Sequence, residues 1–339
     1  MIPKSKIGIV LGFGLAIGIL SCIVLHKNLI FKPGATFMNS NTIVTLENFD
    51  DVWSLGYPEK VETKLSEFLP QAQALQNKSI YLQILSQIAL AQAMQKKFDE
   101  AHKTLDKAES MLTPEYDLAK ARILLERGRA FQQAGSISQA QDYFERSYAL
   151  SIKNKFDSHA INAAHMIAIV ANKNEDKINW NQRAIDLALR TQDIKARAWL
   201  GSIHNNLGQN YLSEKEFNKA LISFEKALEY RIEEAYAPNI RVAKWAIARA
   251  LRSLNHLDEA LAIQQELLNE YEAISKSENY EVPVEIFKLV RGLVFEEIAE
   301  LYQAKAKEFA RSAYDDLAHD PMFLETEPKR IERLNQMME

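Results

Sequence analysis

Cysteine is almost absent from this sequence. Cys22 is the single one among 339 residues, which excludes an internal disulfide framework and a cysteine-rich zinc site. Backbone breakers are scarce as well. The chain has 11 glycines and 9 prolines, and Gly8, Gly12, Gly14 and Gly18 all fall near its start, so the remainder favours long helices. A cationic excess is also missing. The net charge of -4 gives no reason to expect nucleic acid, whose binders carry a strongly basic face. There is no His-Glu-x-x-His, no phosphate loop and no nucleophile elbow. His159 and His165 are six apart on one predicted helix, a spacing that does not put two metal ligands on one face. Acidic residues scatter along predicted outer faces. The expectation is a protein with no catalytic centre, no cofactor and no metal.

What the chain does have is folded composition and a repeat. Hydrophobic residues make up 47% and charged residues 25%, values of a folded protein. One short phrase recurs: Phe98-Asp99-Glu100-Ala101, Ile137-Ser138-Gln139-Ala140, Phe217-Asn218-Lys219-Ala220 and Leu257-Asp258-Glu259-Ala260. A unit of about 40 residues that repeats in this way indicates stacked supersecondary units, not one compact core.

The amino terminus stands apart. Ile7 to Leu25 is an uncharged run of 19 residues between Lys4 and Lys6 on one side and Lys27 and Lys32 on the other. At about 1.5 Å per residue such a helix nearly spans a bilayer. A cleaved signal peptide is the rival, but its apolar region is shorter and ends in a small-x-small site. Ile19-Leu20-Ser21-Cys22 faintly resembles a lipoprotein cleavage box, yet apolar residues continue after Cys22. Residues 1–31 are therefore expected to be a transmembrane anchor and 32–45 a tether. The lysine balance leans towards the amino terminus in the cytoplasm and the repeats outside, which in the inner membrane of a bacterium means the periplasm. Gly12-x-Gly14-x-x-x-Gly18 is not a dinucleotide fingerprint, because no strand precedes it and the first acidic residue beyond the span is Glu47. The small-xxx-small spacing of Gly8 with Gly12 and of Gly14 with Gly18 suits a helix-pairing face, and so a homodimer.

From residue 46 onward helical periodicity is nearly continuous. The clearest unit, 201–234, carries Leu207-Gly208, Tyr211, Ala220, Phe224 and Ala227. Gly208 and Ala220 suit a close crossing of two antiparallel helices, and Tyr211 and Phe224 fill the space between them. This pattern resembles the tetratricopeptide repeat. The resemblance implies an all-α, right-handed superhelical solenoid of antiparallel helix pairs over residues 46–339. A divergent cap at 46–75 is followed by units at 82–115, 121–154, 158–191, 201–234 and 241–274, then by divergent helices at 284–338. The stretch 158–191 is degenerate, keeping mainly Ala184 and Trp180, with a polar turn at Asn172 to Lys177. From Val284 to Leu317 one long helix or a very tight turn is expected. Tyr271 to Val282 reads as a spacer. Ala163-Ala164-His165-Met166, Trp199 to Gly208, Ala248 to Leu254 and the ending Asp320-Pro321 with Glu327-Pro328 are similar to a group of bacterial tetratricopeptide-repeat proteins without an assigned biochemical role.

In that family the first helix of each pair lines the concave surface. The positions that point inward there fall on Arg122, Arg129 and Gln132; His159, Asn162 and Met166; Ser202, Asn205, Gln209 and Leu212; and Trp245, Arg249 and Arg252. Amides such as Asn162, Asn205 and Gln209 both donate and accept, which matches an extended peptide backbone. Arg122, Arg129, Arg249 and Arg252 are the cations of the set, and arginine pairs with carboxylates through two hydrogen bonds. Trp245 offers an apolar anchor. The implied function is a membrane-anchored adaptor holding a peptide segment of a partner protein. The alternatives are a structural assembly factor or self-associating scaffold, and a peptide-responsive sensor.

Overall fold

The computed structural model describes residues 45–55, 57–278, 280–282, 284–319, 325 and 327–338, and the elements among them are all helical. The expected anchor and nearly all of the tether lie outside the described residues. No helix among the described residues is long and apolar enough to cross a membrane.

A 3-10 helix, Phe49–Leu55, leads into α1, Pro58–Ala74. Pro58 occupies the first turn of α1, where its missing N–H costs nothing. Helix pairs follow. They are α2 (Lys78–Met94) with α3 (Phe98–Glu109), α4 (Asp117–Gln133) with α5 (Ile137–Lys153), and α6 (Asp157–Val170) with α7 (Asn174–Arg190). After the short α8 (Ile194–Arg197) come α9 (Leu200–Ser213) with α10 (Phe217–Glu233), and α11 (Ala237–Ser253) with α12 (Leu257–Ser277). Helix α13 runs unbroken from Val284 to Leu317, and α14 covers Pro328–Met338.

The two helices of a pair differ in kind. In α2 nearly every residue from Leu82 to Ala93 is buried, whereas α3 buries one stripe, Ala101, Leu105 and Ala108. A helix buried all round is sandwiched; a helix with one apolar stripe is an outer layer. Helices α4 and α5 repeat the contrast. Apart from the short α8, which α7 bypasses to pack on α9, each helix packs on the next in sequence, and α2 also packs on α4 across the intervening helix. That is the contact set of a stack in which each unit touches its neighbours.

The turns explain the regular hairpins. Lys96 N–H bonds to Ala93 C=O at 2.9 Å and Lys97 N–H to Gln92 C=O at 3.0 Å, with Lys96 at φ 63°. This is the left-handed cap that satisfies the last carbonyls of a helix. The same geometry recurs at Gly135 (φ 83°), Lys215 (φ 60°) and Asn255 (φ 65°). The α6–α7 connection departs from it: Ala171 is extended at ψ 140°. This is the unit whose sequence is degenerate.

Glycine at the helix crossings is a steric requirement. A Cβ on Gly128 would lie 2.5 Å from the ring of Phe144, and one on Gly208 would lie 2.5 Å from the ring of Phe224. Both phenylalanines are fully buried. In these two pairs the second helix thus presses an aromatic ring onto a bare stretch of its partner's backbone.

The expected spacer between Tyr271 and Val282 needs correction. Helix α12 continues to Ser277, and Tyr271 is buried edge-on to Phe287 of α13, with ring centroids 5.6 Å apart. Burial of an aromatic near the helix's far end favours extending α12 over Ser275 and Ser277.

Candidate functional site

The residues expected to face a ligand lie on the first helices of successive pairs, and many of them bind the pairs to one another. Trp53 Nε1 donates to Gln87 Oε1 at 2.7 Å, and Gln87 Nε2 donates to Glu126 Oε1 at 2.9 Å. Glu126 accepts both 3.1 Å and 2.9 Å bonds from Arg129 Nη1, and Arg129 Nη2 donates to Asn162 Oδ1 at 2.7 Å. Glu126 and Arg129 are 3% and 4% exposed. A buried charge is tolerable when paired and hydrogen-bonded, and this chain of partners runs from the cap through α2 and α4 to α6.

Arg122 is equally committed. It pairs with the Asp50 carboxylate, donates to Gln83 Oε1 at 3.3 Å, and lies 5.2 Å from the centre of the Phe49 ring. At the other end of the array, Arg249 Nη1 donates to Gln209 Oε1 at 3.2 Å and its guanidinium sits 4.7 Å over the Trp245 ring. Trp245 Nε1 donates to the backbone carbonyl of Leu293 at 3.4 Å. Arg252 pairs with Glu297 of α13, with Glu300 at 3.9 Å, and Arg249 Nε is 3.9 Å from Glu297. Two cations therefore converge on Glu297, itself buried. Asn205 is half-buried beside a cavity of about 10 Å³ lined also by Ala227, Arg231, Asn239, Val242 and Ala243. That is room for about one water molecule, and Asn205 Oδ1 has no protein partner among the described residues.

The sequence reading missed further members of these networks. Arg231 is buried, pairs with Glu234 at 2.7 Å and donates to Ser202 Oγ at 2.7 Å. A Cβ on Gly201 would come within 2.9 Å of Arg231, so that glycine makes room for the pair. Arg127 is buried between Asp106 at 2.7 Å and Glu109 at 3.0 Å. The spacing of Arg231 with Glu234, and of Glu126 with Arg129, is the (i, i+3) signal that pairs opposite charges on one helix face.

Two histidines sit in the middle of the array. His165 is 3% exposed, and its pKa falls to about 3 because burial penalises the cation, with Arg129 and Arg231 adding repulsion and the Asn181 side chain, which favours the protonated ring, opposing. His204 stacks on Tyr230 at 5.6 Å, and burial, aided by Lys226 and opposed by Glu229, lowers its pKa to about 4. A histidine with a depressed folded-state pKa contributes stability that is present above its unfolded pKa, about 6.5, and lost as pH falls towards the folded value. Unfolding free energy should therefore fall between about pH 6.5 and pH 4, at up to about 1.4 kcal/mol per pH unit for His165. His165→Asn should flatten that slope. Urea titrations at a series of pH values measure it.

These features place the chain among known architectures. Three solved structures share it. BtubC (BKLC) from P. vanneervenii aligns at TM-score 0.55 and 16% identity, over 67% of this chain and 94% of that one. The STAND-type signal transduction ATPase with a tetratricopeptide repeat sensor from Pyrococcus horikoshii aligns at 0.54 and 13%, over 92% and 52%. A Rap protein complexed with competence and sporulation factor aligns at 0.50 and 13%, over 93% and 99%. The chain has the tetratricopeptide-repeat fold. No protein-family model matches the sequence, and no curated protein does. The tetratricopeptide-like likeness therefore lives in the stacking of helix pairs, with the glycine crossings and turn geometry above, and hardly at all in residue identity. Among the described residues no cluster of His, Cys, Asp and Glu is arranged to hold a metal ion.

Proposed function

We propose that this protein is a membrane-anchored interaction scaffold that holds an extended peptide segment of a partner protein along the first helices of its central and carboxy-terminal pairs. The observation that carries this reading is the Gln209–Arg249–Trp245 contact. It joins α9 to α11 through an amide, a guanidinium and an indole, all partly buried, with the Arg249 side chain 13% exposed. Amides in such a position can donate to and accept from a peptide main chain, and a partly exposed aromatic with a stacked arginine is a typical anchor point of an interface. Asn162 and Asn205 extend the same line of first helices towards α6.

The arginines refine the expected ligand. Arg122 and Arg129 are held deep in contacts between pairs and serve the stack. Arg249 and Arg252 share Glu297, so an incoming carboxylate would compete with that residue. Main-chain recognition through Gln209, Asn205 and Asn162, with Trp245 as apolar anchor, then outweighs clamping of an acidic group. Residues 7–25 would tether the array to the bilayer, with the array outside the cytoplasm, and no enzymatic step is assigned to it.

A photo-crosslinking residue at Gln209, used in living cells with mass spectrometric identification, tests this. A discrete partner protein that disappears when Arg249→Ala is added supports the reading. Capture of nothing, or of an unchanged set of proteins in the Arg249→Ala background, sinks it.

A further inference from the structure

Helix α13 leaves one face bare. Phe295, Tyr302 and Phe309 are 48%, 56% and 69% exposed and stand seven residues apart. Gly292, Ala299 and Ala306, all exposed, and half-buried Ala313 interleave with them. Alternating steps of three and four put these residues on a single stripe, which is the seam of a paired helix. The side formed by Phe287, Val294 and Leu301 is buried against the preceding pair. Helix α14 packs on α13, yet Phe309 stays open.

The fold itself shows what such a stripe accepts. Gly292-x-x-Phe295 repeats Gly128-x-x-Phe131 and Gly208-x-x-Tyr211. At Gly128 and Gly208 a phenylalanine ring from the antiparallel partner helix occupies the space of the missing side chain. At Gly292 nothing among the described residues lies within 4 Å of where a Cβ would stand. Helix α13 thus presents the same aromatic-on-glycine half-site, without a second helix upon it among the described residues.

We propose that a second copy of this chain covers the stripe, with α13 of one copy antiparallel to α13 of the other. The stripe is self-complementary in that direction. Phe309 falls on Gly292 of its twin, Tyr302 on Ala299 and Phe295 on Ala306, and the two-fold axis repeats each contact. A parallel pair would set aromatic against aromatic and small against small, leaving gaps between the helices. At the margin, exposed Glu296 comes opposite Gln303, a carboxylate facing an amide donor. Small residues let the axes approach closely, near the low end of the ~8–10 Å range of helix pairs. A lipid surface would call for no such alternation of small and large residues. This contact is independent of the peptide-binding face and of any pairing through residues 7–25.

The test is the mass of the full-length chain in mild detergent by sedimentation, with variants of the seam. The wild type should sediment as a dimer. Ala299→Arg with Ala306→Arg should halve the mass without changing helix content or melting temperature. Phe309→Ser, at an exposed position where folding is not at stake, should weaken the dimer in the same direction. A photo-crosslinker at Tyr302 should capture the peptide bearing Ala299 of the second copy. A monomeric wild type, a dimer that survives both variants, or capture from Tyr302 of only lipid or an unrelated protein would overturn the proposal.

Discussion

Phe224→Ala is expected to destabilise the protein by about 3–5 kcal/mol, the usual cost of emptying an aromatic's place in a packed core. Gly208→Ala, in the same contact, should cost about 1–2 kcal/mol. Overpacking typically costs ~1–3 kcal/mol, and the better helix propensity of alanine returns up to about 1 kcal/mol. The sign is the informative part, because glycine to alanine inside an exposed helix stabilises. Here a Cβ would meet a fully buried ring at 2.5 Å, and the ring lies in a core cluster with Ala246, Ile247 and Ala250 of α11. Combining Gly208→Ala with Phe224→Leu should be markedly non-additive, the smaller side chain relieving part of the clash. Urea denaturation of the single and double variants gives all three values.

The second large effect concerns the polar chain. Arg129→Ala is expected to cost about 3–5 kcal/mol, since it strands the buried Glu126 carboxylate without its counter-charge. Replacing both members, as Glu126→Leu with Arg129→Met, should be milder than the single variant, because the desolvation of two charges is then removed as well, although the amides of Gln87 and Asn162 each lose a partner and keep part of the cost. If both the single and the double variants cost the same, the pair's electrostatics are not what matters at this position. The loss in Arg129→Ala should also reach beyond α4, because Asn162 on α6 loses its partner and Gln87 on α2 is left bonded to a carboxylate without its counter-charge.

Much of the fold was legible because its packing rule is written in residue size. Gly128 and Gly208, each sixteen residues before the phenylalanine that covers it, mark the crossings. Ala101, Ala140, Ala220 and Ala260 mark the same depth in the second helices, and all are fully buried. Boundaries were harder. Tyr271 to Val282 reads as a spacer because Ser275, Ser277 and Asn279 are poor helix formers, yet packing of Tyr271 on Phe287 overrides that weak local preference. The loop after α6 was visible as a departure, and its extended Ala171 has no sequence signature that we can name.

The placement of the candidate residues on first helices was legible, and what those residues contact was less so. The first helices do carry Arg122, Arg129, Asn162, Asn205, Gln209, Trp245, Arg249 and Arg252 in one line, but a pattern of inward positions does not say what already fills them. Arg122 finds Asp50 in the cap and Arg252 finds Glu297 in α13, each more than forty residues away. No local spacing predicts such partners. Arg129 is different: Glu126 stands three residues before it, and that pairing was available from sequence.

Hydrogen exchange measured peptide by peptide on the wild type and Arg129→Ala tests the central claim most directly, namely that buried polar links on the first helices bind neighbouring pairs into one stack. The account predicts strong protection of α2, α4 and α6 in the wild type. In the variant, protection should fall in all three of those helices, while α11 and α12 remain unchanged. Loss confined to α4, with α2 and α6 exchanging as before, would contradict it.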